Sequence, residues 1–174
     1  TLVNSTALTT GTKFISISAG GVHSCGIASD GKGFCWGYNG AGALGDNTLV
    51  DKKVPTLVNT SSLTSGNKFK TLATGAYHTT GILNNGLAYS WGRGADYQLG
   101  NNTATESDSP TDIDRSALAA GTHFTAIANG YYHGCGLNSD GNLYCWGGNG
   151  YGQLGDNTLV DKAIPVLVDT SPLG

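Results

Sequence analysis

The stretch AGGVHSCGIASDGKGFCWG at residues 19–37 recurs in related form as TGAYHTTGILNNGLAYSWG at 74–92 and as NGYYHGCGLNSDGNLYCWG at 129–147. The copies are spaced by 55 residues, with no insertion or deletion between them. A fixed period indicates a repeat architecture, in which each unit is stabilised by its neighbours rather than by one central core. The sequence therefore predicts one repeat domain over 1–174, divided into repeats 1–55, 56–110 and 111–165, with the start of a fourth at 166–174.

The two ends of the chain share one phase of this repeat. The opening Thr1-Leu2-Val3-Asn4 matches Thr56-Leu57-Val58-Asn59, and the chain closes on Val166-Leu167-Val168-Asp169 in the same phase. We therefore expect the chain to be a section of a longer array, or a mature fragment. The sequence does not define the total number of repeats or whether the ring closes.

Each copy contains the signals of a β-hairpin. Ser29-Asp30-Gly31 lies between two strand-like runs, and a three-residue loop that ends in glycine is typical of a type I turn with a bulge, because glycine adopts the left-handed conformation at little cost. A further strand is expected over 14–20, and a final short strand is expected to follow Pro55. About four antiparallel strands per unit describe a propeller blade, so we expect an all-β fold, either a partial β-propeller or an open array of three blades.

A short helical turn is expected ahead of each first strand. Asn4 has the residue type of a helix N-cap, Gly11 has that of the residue after a helix, and Leu8 between them is expected to point inward. The pairs Asn59 with Gly66 and Asp114 with Gly121 repeat the arrangement.

The cysteines test the hairpin register. Cys25 and Cys35 lie symmetrically about residue 30, and Cys135 and Cys145 lie symmetrically about residue 140, whereas the second repeat has Thr80 and Ser90 in the two places. Paired presence and paired absence favour a cross-strand disulfide in repeats 1 and 3, which a close antiparallel pair can hold. Four free thiols in a cytosolic protein are the alternative, and a zinc site is less favoured because the cysteines do not cluster. Disulfides predict an extracellular or cell-surface location.

Composition excludes some classes of partner. The net charge is −3 and 12% of the residues are charged, so there is no basic surface for nucleic acid. No hydrophobic run is long enough for a membrane span in this segment.

Three motifs of repeat 1 carry a resemblance to a known family. They are AGGVHSCGI at 19–27, Asp-Gly-x-x-x-Cys-Trp-Gly at 30–37 and GALGD at 42–46, and GQLGD at 152–156 is closer still to the family pattern. The chain resembles the RCC1 repeat, and its cysteines resemble those of the secreted bacterial branch of that family. The resemblance implies a propeller, usually of seven blades. In repeat 2, Arg93-Gly94-Ala95-Asp96-Tyr97 departs from the glycine-rich loop, and Asn101 replaces the aspartate.

The resemblance leaves several functions open. The family includes guanine-nucleotide exchange factors, secreted β-lactamase inhibitors and surface proteins, but nothing in this chain matches an exchange-factor wedge. We expect a non-enzymatic extracellular binding or structural module that acts through its loop faces and through edge-to-edge association of blades, with a protein partner or further copies or repeats of itself. A secreted inhibitor or receptor-binding domain is the alternative. A carbohydrate-active enzyme is disfavoured, because no catalytic motif is present. No cofactor is expected.

The residues that recur in every unit are interpreted as parts of the scaffold. Repeated residues usually serve the repeated architecture, so the histidines are expected to form hydrogen bonds within or between blades rather than a ring of metal ligands, and the tryptophans are expected to pack between blades. No metal site is predicted. These residues are His23, His78, His133, Trp36, Trp91 and Trp146.

The residues that differ between copies are better candidates for recognition. They lie in the turn before each histidine and in the loop after each tryptophan, and tyrosines with Arg and Asp suit a protein or carbohydrate ligand. The predicted binding residues are Tyr38, Tyr77, Arg93, Asp96, Tyr97, Tyr131, Tyr132 and Tyr151. Asn4, Asn59 and Asn101 begin Asn-x-Ser/Thr sequons, whose glycosylation depends on a competent host.

Overall fold

The computed structural model describes residues 3–4, 6–63, 66 and 68–171, so Thr1, Leu2 and the last three residues of the predicted fourth repeat lie outside the described residues. Within them, three four-stranded antiparallel sheets follow one another along the chain. The first consists of β1 (Phe14–Ala19), β2 (His23–Ala28), β3 (Gly33–Gly37) and β4 (Lys52–Leu57). The second consists of β5 (Phe69–Thr74), β6 (His78–Leu83), β7 (Ala88–Gly92) and β8 (Ser107–Asp112). The third consists of β9 (Phe124–Asn129), β10 (His133–Asn138), β11 (Leu143–Gly147) and β12 (Lys162–Leu167).

Each sheet is one blade, and the strands of each blade pair in sequence order. This confirms the predicted all-β architecture of three blades in a propeller that is not closed. The repeat boundaries at 55/56 and 110/111 stay a prediction. The sheets themselves run from Phe14 to Leu57, from Phe69 to Asp112 and from Phe124 to Leu167. No helix among the described residues is long and apolar enough to cross a membrane.

Two local predictions need correction. The last strand does not follow Pro55 but contains it, because β4 is the outer strand of its sheet and pairs with β3 alone. The outer side of an edge strand has no partner strand. Proline is accommodated there because the N–H that it lacks would have no strand to bond with. Ahead of β1 and β9 the chain forms a hydrogen-bonded turn and not a helix, with Thr12 N bonded to Thr9 O and Leu118 N bonded to Arg115 O. The predicted capping residues have their expected conformations, because the Asn4 and Asp114 side chains accept from the backbone N–H two residues on, and Gly11 and Gly121 have φ values of 83° and 81°.

The hairpins confirm the predicted disulfides. Cys25 lies directly opposite Cys35, with Cα atoms 4.1 Å apart, and the two sulfurs are bonded. Cys135 and Cys145 repeat the bond in the third blade. In the second blade, the same register places Thr80 opposite Ser90. There the two side chains form hydrogen bonds instead, from Thr80 to the Asn129 side chain and from Ser90 to the Leu99 carbonyl.

The apolar cores lie between the blades rather than within one blade. Phe69 and Leu72 of the second blade pack on Gly33 of the first, so closely that a Cβ at Gly33 would lie 2.9 Å from the Phe69 ring. Phe124 and Ile127 belong to the equivalent cluster between the second and third blades, which contains Ala88 in the place of Gly33. Aromatic and aliphatic burial of this kind contributes about 1.5–3 kcal/mol per side chain.

The tryptophans join neighbouring blades. Trp91 is fully buried and its indole N–H donates to the Ala43 carbonyl of the first blade at 3.0 Å. Trp146 is likewise buried and donates to the Gln98 carbonyl of the second blade at 3.1 Å. Trp36, on the open face of the first blade, is half-buried.

The histidines contact the same junctions. His23 Nε2 lies 2.7 Å from the Thr79 hydroxyl of the next blade, and that hydroxyl donates to the Ala43 carbonyl, so Nε2 is the donor to Thr79. His78 is completely buried, but the position equivalent to Thr79 in the third blade is Gly134, which has no hydroxyl to offer. No group of three or more His, Cys, Asp or Glu side chains within the described ranges could hold a metal ion.

Burial changes the protonation of these histidines. Desolvation lowers the pKa of His23 to about 4, and desolvation together with the nearby His23 and His133 lowers the pKa of His78 to about 3. Desolvation also lowers the pKa of His133. The folded state therefore holds these rings neutral at pH values where the unfolded chain protonates them.

Engineering a third disulfide tests the blade register. We expect the double substitution Thr80→Cys and Ser90→Cys to close spontaneously under oxidising conditions, because the two positions oppose each other as the native cysteines do. The new bond constrains the unfolded chain by roughly 2–3 kcal/mol, from which the two lost hydrogen bonds subtract. Intact mass should rise by six hydrogens on reduction rather than by four, whereas Thr80→Cys alone should retain the parent value. A reactive pair of thiols in the double variant would contradict the register.

Stability should depend on pH through the buried histidines. Above pH 6.5 the imidazoles are neutral in both states, so they add no pH dependence. Between pH 6.5 and about 4 the unfolded state binds protons that folded His23 and His78 do not, so the free energy of unfolding falls as pH falls, by up to about 1.4 kcal/mol per pH unit for each ring. The free energy of unfolding in urea, measured at pH 7 and at pH 4.5, tests this dependence on pH. His78→Gln should reduce the slope, substitution of exposed His123 should not, and equal stability at both pH values in the parent chain would contradict the burial argument.

Candidate functional site

One edge of the three sheets brings two kinds of loop together in every blade. The turn before the second strand and the loop after the third strand are joined by a backbone hydrogen bond. Tyr38 N donates to the Val22 carbonyl at 3.0 Å in the first blade, and Arg93 N donates to the Tyr77 carbonyl at 2.9 Å in the second. The same backbone bond therefore fixes the variable loop residues in equivalent positions.

Four tyrosines from the three blades form a continuous series of ring contacts along this edge. The ring centroids of Tyr38 and Tyr77 are 5.9 Å apart, those of Tyr77 and Tyr131 are 6.1 Å apart, and those of Tyr131 and Tyr132 are 4.4 Å apart. Successive rings are close to perpendicular, at 78–85°. Edge-to-face contacts of this kind each contribute about 0.5–1.5 kcal/mol beyond area burial. We call these four residues the tyrosine ladder.

The ladder remains open to solvent. Tyr38 is 42% exposed and Tyr131 is 56% exposed, while Tyr77 and Tyr132 are half-buried. A side-chain hydrogen bond between Tyr77 and Tyr131, followed by the charge interaction between the two groups, raises the pKa of Tyr77. The ladder thus presents apolar rings together with hydroxyl groups.

An ion pair closes one end of the ladder. The Arg93 guanidinium carbon lies 5.1 Å from the centroid of the Tyr132 ring, and one guanidinium nitrogen lies 3.1 Å from the Asp96 carboxylate. The cation–π contact contributes about 0.5–1 kcal/mol at such a partly exposed site. Arg93 and Tyr132 occupy the positions that Tyr38 and Tyr77 occupy one repeat earlier. The contact between this loop and the next blade is therefore between two aromatic rings at the first junction and between a cation and a ring at the second. The charges of Arg93 and Asp96 offset each other.

Tyr97 and Tyr151 are the two tyrosines among the predicted binding residues that have no ring contact with the ladder within the described part of the chain. Tyr151 is 96% exposed on a loop of the third blade. Tyr97 has a φ of 59° at a position where the other blades have Gly42 and Gly152, with φ values of 77° and 76°. A left-handed conformation costs a tyrosine on the order of 1 kcal/mol. The structure therefore brings together Tyr38, Tyr77, Tyr131, Tyr132, Arg93 and Asp96, and leaves the other two apart.

The innermost strands add residues that the sequence analysis did not select. A hollow of about 230 Å³ lies where the turns after β1, β5 and β9 meet, beside Tyr131, and Asn129 lines it together with the glycines of these turns. The Asn129 amide donates to the Ala73 carbonyl of the neighbouring blade at 2.9 Å. Comparison of the three copies could have selected this position, because the equivalent residues differ: they are Ala19, Thr74 and Asn129.

Comparison with known proteins agrees with this arrangement. Two models of the regulator of chromosome condensation (RCC1) repeat match the chain, one at residues 14–43, 69–98 and 124–153 and the other at 30–82, 85–137 and 140–173. The Ultraviolet-B receptor UVR8 of Arabidopsis thaliana is 31% identical over 91% of this chain and 34% of its own length.

Solved structures show the same fold. Human WBSCR16 superposes with a TM-score of 0.81 at 25% identity, over 93% of this chain and 41% of that one. Prp20p from Saccharomyces cerevisiae superposes with a TM-score of 0.74 at 23% identity, over 90% and 38%. The chain thus spans well under half the length of these proteins. The family models cover more than half of its own residues and find its blades in all three copies, and the chain belongs to the RCC1 repeat family.

Proposed function

We propose that this chain is a non-enzymatic binding module that presents the tyrosine ladder, with Arg93 and Asp96 beside it, to a protein partner. The continuous contact of these six residues across three blades carries the proposal. Tyrosine and arginine are enriched where proteins bind one another, since both combine a large apolar area with polar groups at low entropic cost.

The fold is compatible with a protein partner. Prp20p, whose fold this chain shares, binds Gsp1p and histones. Those partners are properties of Prp20p and are not transferred to this chain. The net charge of −3 of this chain disfavours nucleic acid.

An extracellular or cell-surface location is part of the proposal. The two hairpin disulfides support it, because such bonds persist in oxidising compartments and are rare in the cytosol. A secreted inhibitor or receptor-binding domain would use the same surface in the same compartment, and it differs from a general binding module by having a single target. The ladder favours a polypeptide over a carbohydrate ligand, because its perpendicular rings offer no flat platform across neighbouring rings.

Substituting the ladder tests this function. We expect the triple substitution of Tyr77, Tyr131 and Tyr132 by alanine to abolish capture of the partner from the fluid in which the protein occurs, because these three rings are consecutive members of the ladder. Tyr151→Ala is the matched control, since Tyr151 is a fully exposed tyrosine outside the ladder. Capture should be quantified by mass spectrometry of the bound fraction, after circular dichroism has shown the same fold. Equal capture by the triple variant would refute the surface.

We also propose that blades at the edge of the array associate, face against face, with further copies or repeats of the same kind. The open face of the first blade has a groove of about 360 Å³ lined by apolar residues that include Phe14, Ile17 and Trp36. Ile17 is 68% exposed, whereas its equivalent Leu72 is buried against the preceding blade. At both internal junctions the residues equivalent to Phe14 and Trp36 are covered in this way.

Sedimentation tests the association. We expect the chain to form concentration-dependent oligomers, because an uncovered apolar sheet face gains free energy from a second copy. Ile17→Ser should shift the equilibrium towards the 17.8 kDa monomer, and Leu49→Ser, at an exposed loop residue, should not. A parent chain that sediments as a monomer up to about 1 mM, where a contact of more than about 4 kcal/mol would be occupied, would refute self-association.

A further inference from the structure

We infer that the two outer blades of this chain fit each other, so that the third blade of one copy receives the first blade of a second copy in the way that each internal junction joins two blades. This inference rests on the proposed association of blades, because it names the surface that covers the open face of the first blade. The two internal junctions carry it, since they show twice which groups of neighbouring blades meet.

Each internal junction places a tryptophan directly over a glycine of the preceding blade. A Cβ at Gly45 would lie 2.6 Å from the Trp91 indole nitrogen, and a Cβ at Gly100 would lie 2.7 Å from the Trp146 ring. Both glycines are buried. The glycine therefore leaves the space that the indole of the next blade occupies, and we call this space the tryptophan seat.

The third blade has the same seat, and no tryptophan of the chain fills it. Gly155 is the equivalent glycine, and it is exposed. It lines a pocket of about 530 Å³ together with Gly152 and Asp169. Trp36, at the other end of the array, is the one tryptophan of the three that lies on no preceding blade, and it is only half-buried. The chain thus has one empty seat and one tryptophan without a seat.

The loop around the empty seat has the conformation of its internal counterpart. At the second junction Trp146 donates to the Gln98 carbonyl, and the Gln98 side chain accepts from the backbone N–H two residues before it at 2.8 Å. In the third blade the Gln153 side chain accepts from the backbone N–H two residues before it at 2.9 Å. The same bond therefore holds the loop in both blades, and the Gln153 carbonyl is placed to accept from the Trp36 indole of a second copy.

A backbone hydrogen bond of the internal junctions also has its two halves at the outer faces. In each junction an asparagine N–H donates at 2.9 Å to a carbonyl in the last strand of the next blade; the pairs are Asn47 with Asp108 and Asn102 with Ala163. The two asparagines have left-handed φ values of 62° and 63°, and Asn157 of the third blade repeats that conformation at 59°. By the same spacing, the carbonyl that Asn157 N meets is that of Lys53 in a second copy.

The two outer faces are therefore complementary rather than alike. The first blade offers an indole N–H and a strand carbonyl, and the third blade offers a loop carbonyl and a backbone N–H. A head-to-tail arrangement of copies satisfies both bonds in the geometry of the internal junctions, whereas a contact between two first blades has no counterpart in the molecule. Head-to-tail contacts produce a ring or an open chain of copies.

One residue of the third blade departs from the internal junctions. Leu143 is 39% exposed, and the equivalent residues Gly33 and Ala88 are small and buried. A docked first blade has to accommodate this larger side chain beside Phe14, because Phe69 packs on Gly33 in the first junction. Overpacking of this kind weakens a contact, so copies bind each other less tightly than blades of one chain do.

Cysteines placed across the proposed junction test the inference. The hydroxyl oxygens of Ser18 and Thr74 are 2.9 Å apart across the first junction, and the equivalent positions across the proposed one are Ala128 and Ala19 of a second copy. Both alanines are exposed. We expect a mixture of the variants Ala19→Cys and Ala128→Cys to form a covalent dimer when diamide oxidises the two thiols to a disulfide, and neither variant alone to do so. Non-reducing electrophoresis measures the dimer.

Filling the tryptophan seat gives an independent measurement. Gly155→Asn introduces a side chain into the seat with a residue type that tolerates positive φ, so it should weaken association in sedimentation equilibrium by about tenfold or more. Gly121→Asn is the matched control, because Gly121 also has a positive φ and a Cβ there meets nothing within 4 Å. Leu143→Ala should instead strengthen association, because it introduces the small residue of the second junction. Thermal melts establish that each variant is folded.

The outcomes separate this docking mode from association in general. If Ala19→Cys crosslinks to itself as readily as to Ala128→Cys, or if Gly155→Asn associates as the parent does, the head-to-tail mode is wrong while the proposed association of blades stands. Weaker association of Leu143→Ala would also overturn this mode, because it would show that exposed apolar area alone drives the contact. A parent chain that stays monomeric contradicts both the association and its mode.

Discussion

A four-stranded blade cannot bury its own faces, and the contact that compensates for this is the insertion of one blade's aromatic residues against the backbone of its neighbour. Trp91 reaches the Ala43 carbonyl and Phe69 packs on Gly33, so the first two blades share one core. The second and third blades share another, built in the same manner around Trp146.

The junctions are equivalent in apolar packing but not in polar contacts. His23, Thr79 and the Ala43 carbonyl form a buried hydrogen-bonded series across the first junction. Gly134 interrupts that series at the second junction, where Asn129 instead contacts Ala73 and Thr80 across the blades. A repeat protein can vary polar contacts one junction at a time in this way, because its stability is close to a sum of neighbouring interfaces.

Much of the fold could be predicted because the repeat constrains it several times over. The symmetric position of Cys25 and Cys35 about the turn determined the hairpin register, and the structure has that register in all three blades. The position of Pro55 relative to the last strand was predicted wrongly. The sequence does not show which strand lies at the sheet edge, where a residue without an N–H donor is accommodated. Sequence comparison of the copies selected the variable loop residues as a set. Which of them touch depends on how neighbouring blades are oriented, so Tyr151 could not be distinguished from Tyr131 without the structure.

The ladder contacts between Tyr38 and Tyr77, between Tyr77 and Tyr131, and between Arg93 and Tyr132 all join residues of different blades. A ligand that lies along them therefore bridges both junctions at once and acts as an external clamp on the array. By thermodynamic linkage, the free energy of such binding adds to the cohesion of the blades, and any substitution that lets two blades shift apart lowers affinity without touching the ligand. If the ladder binds a partner as proposed, the affinity for that partner and the cohesion of the blades depend on the same inter-blade geometry.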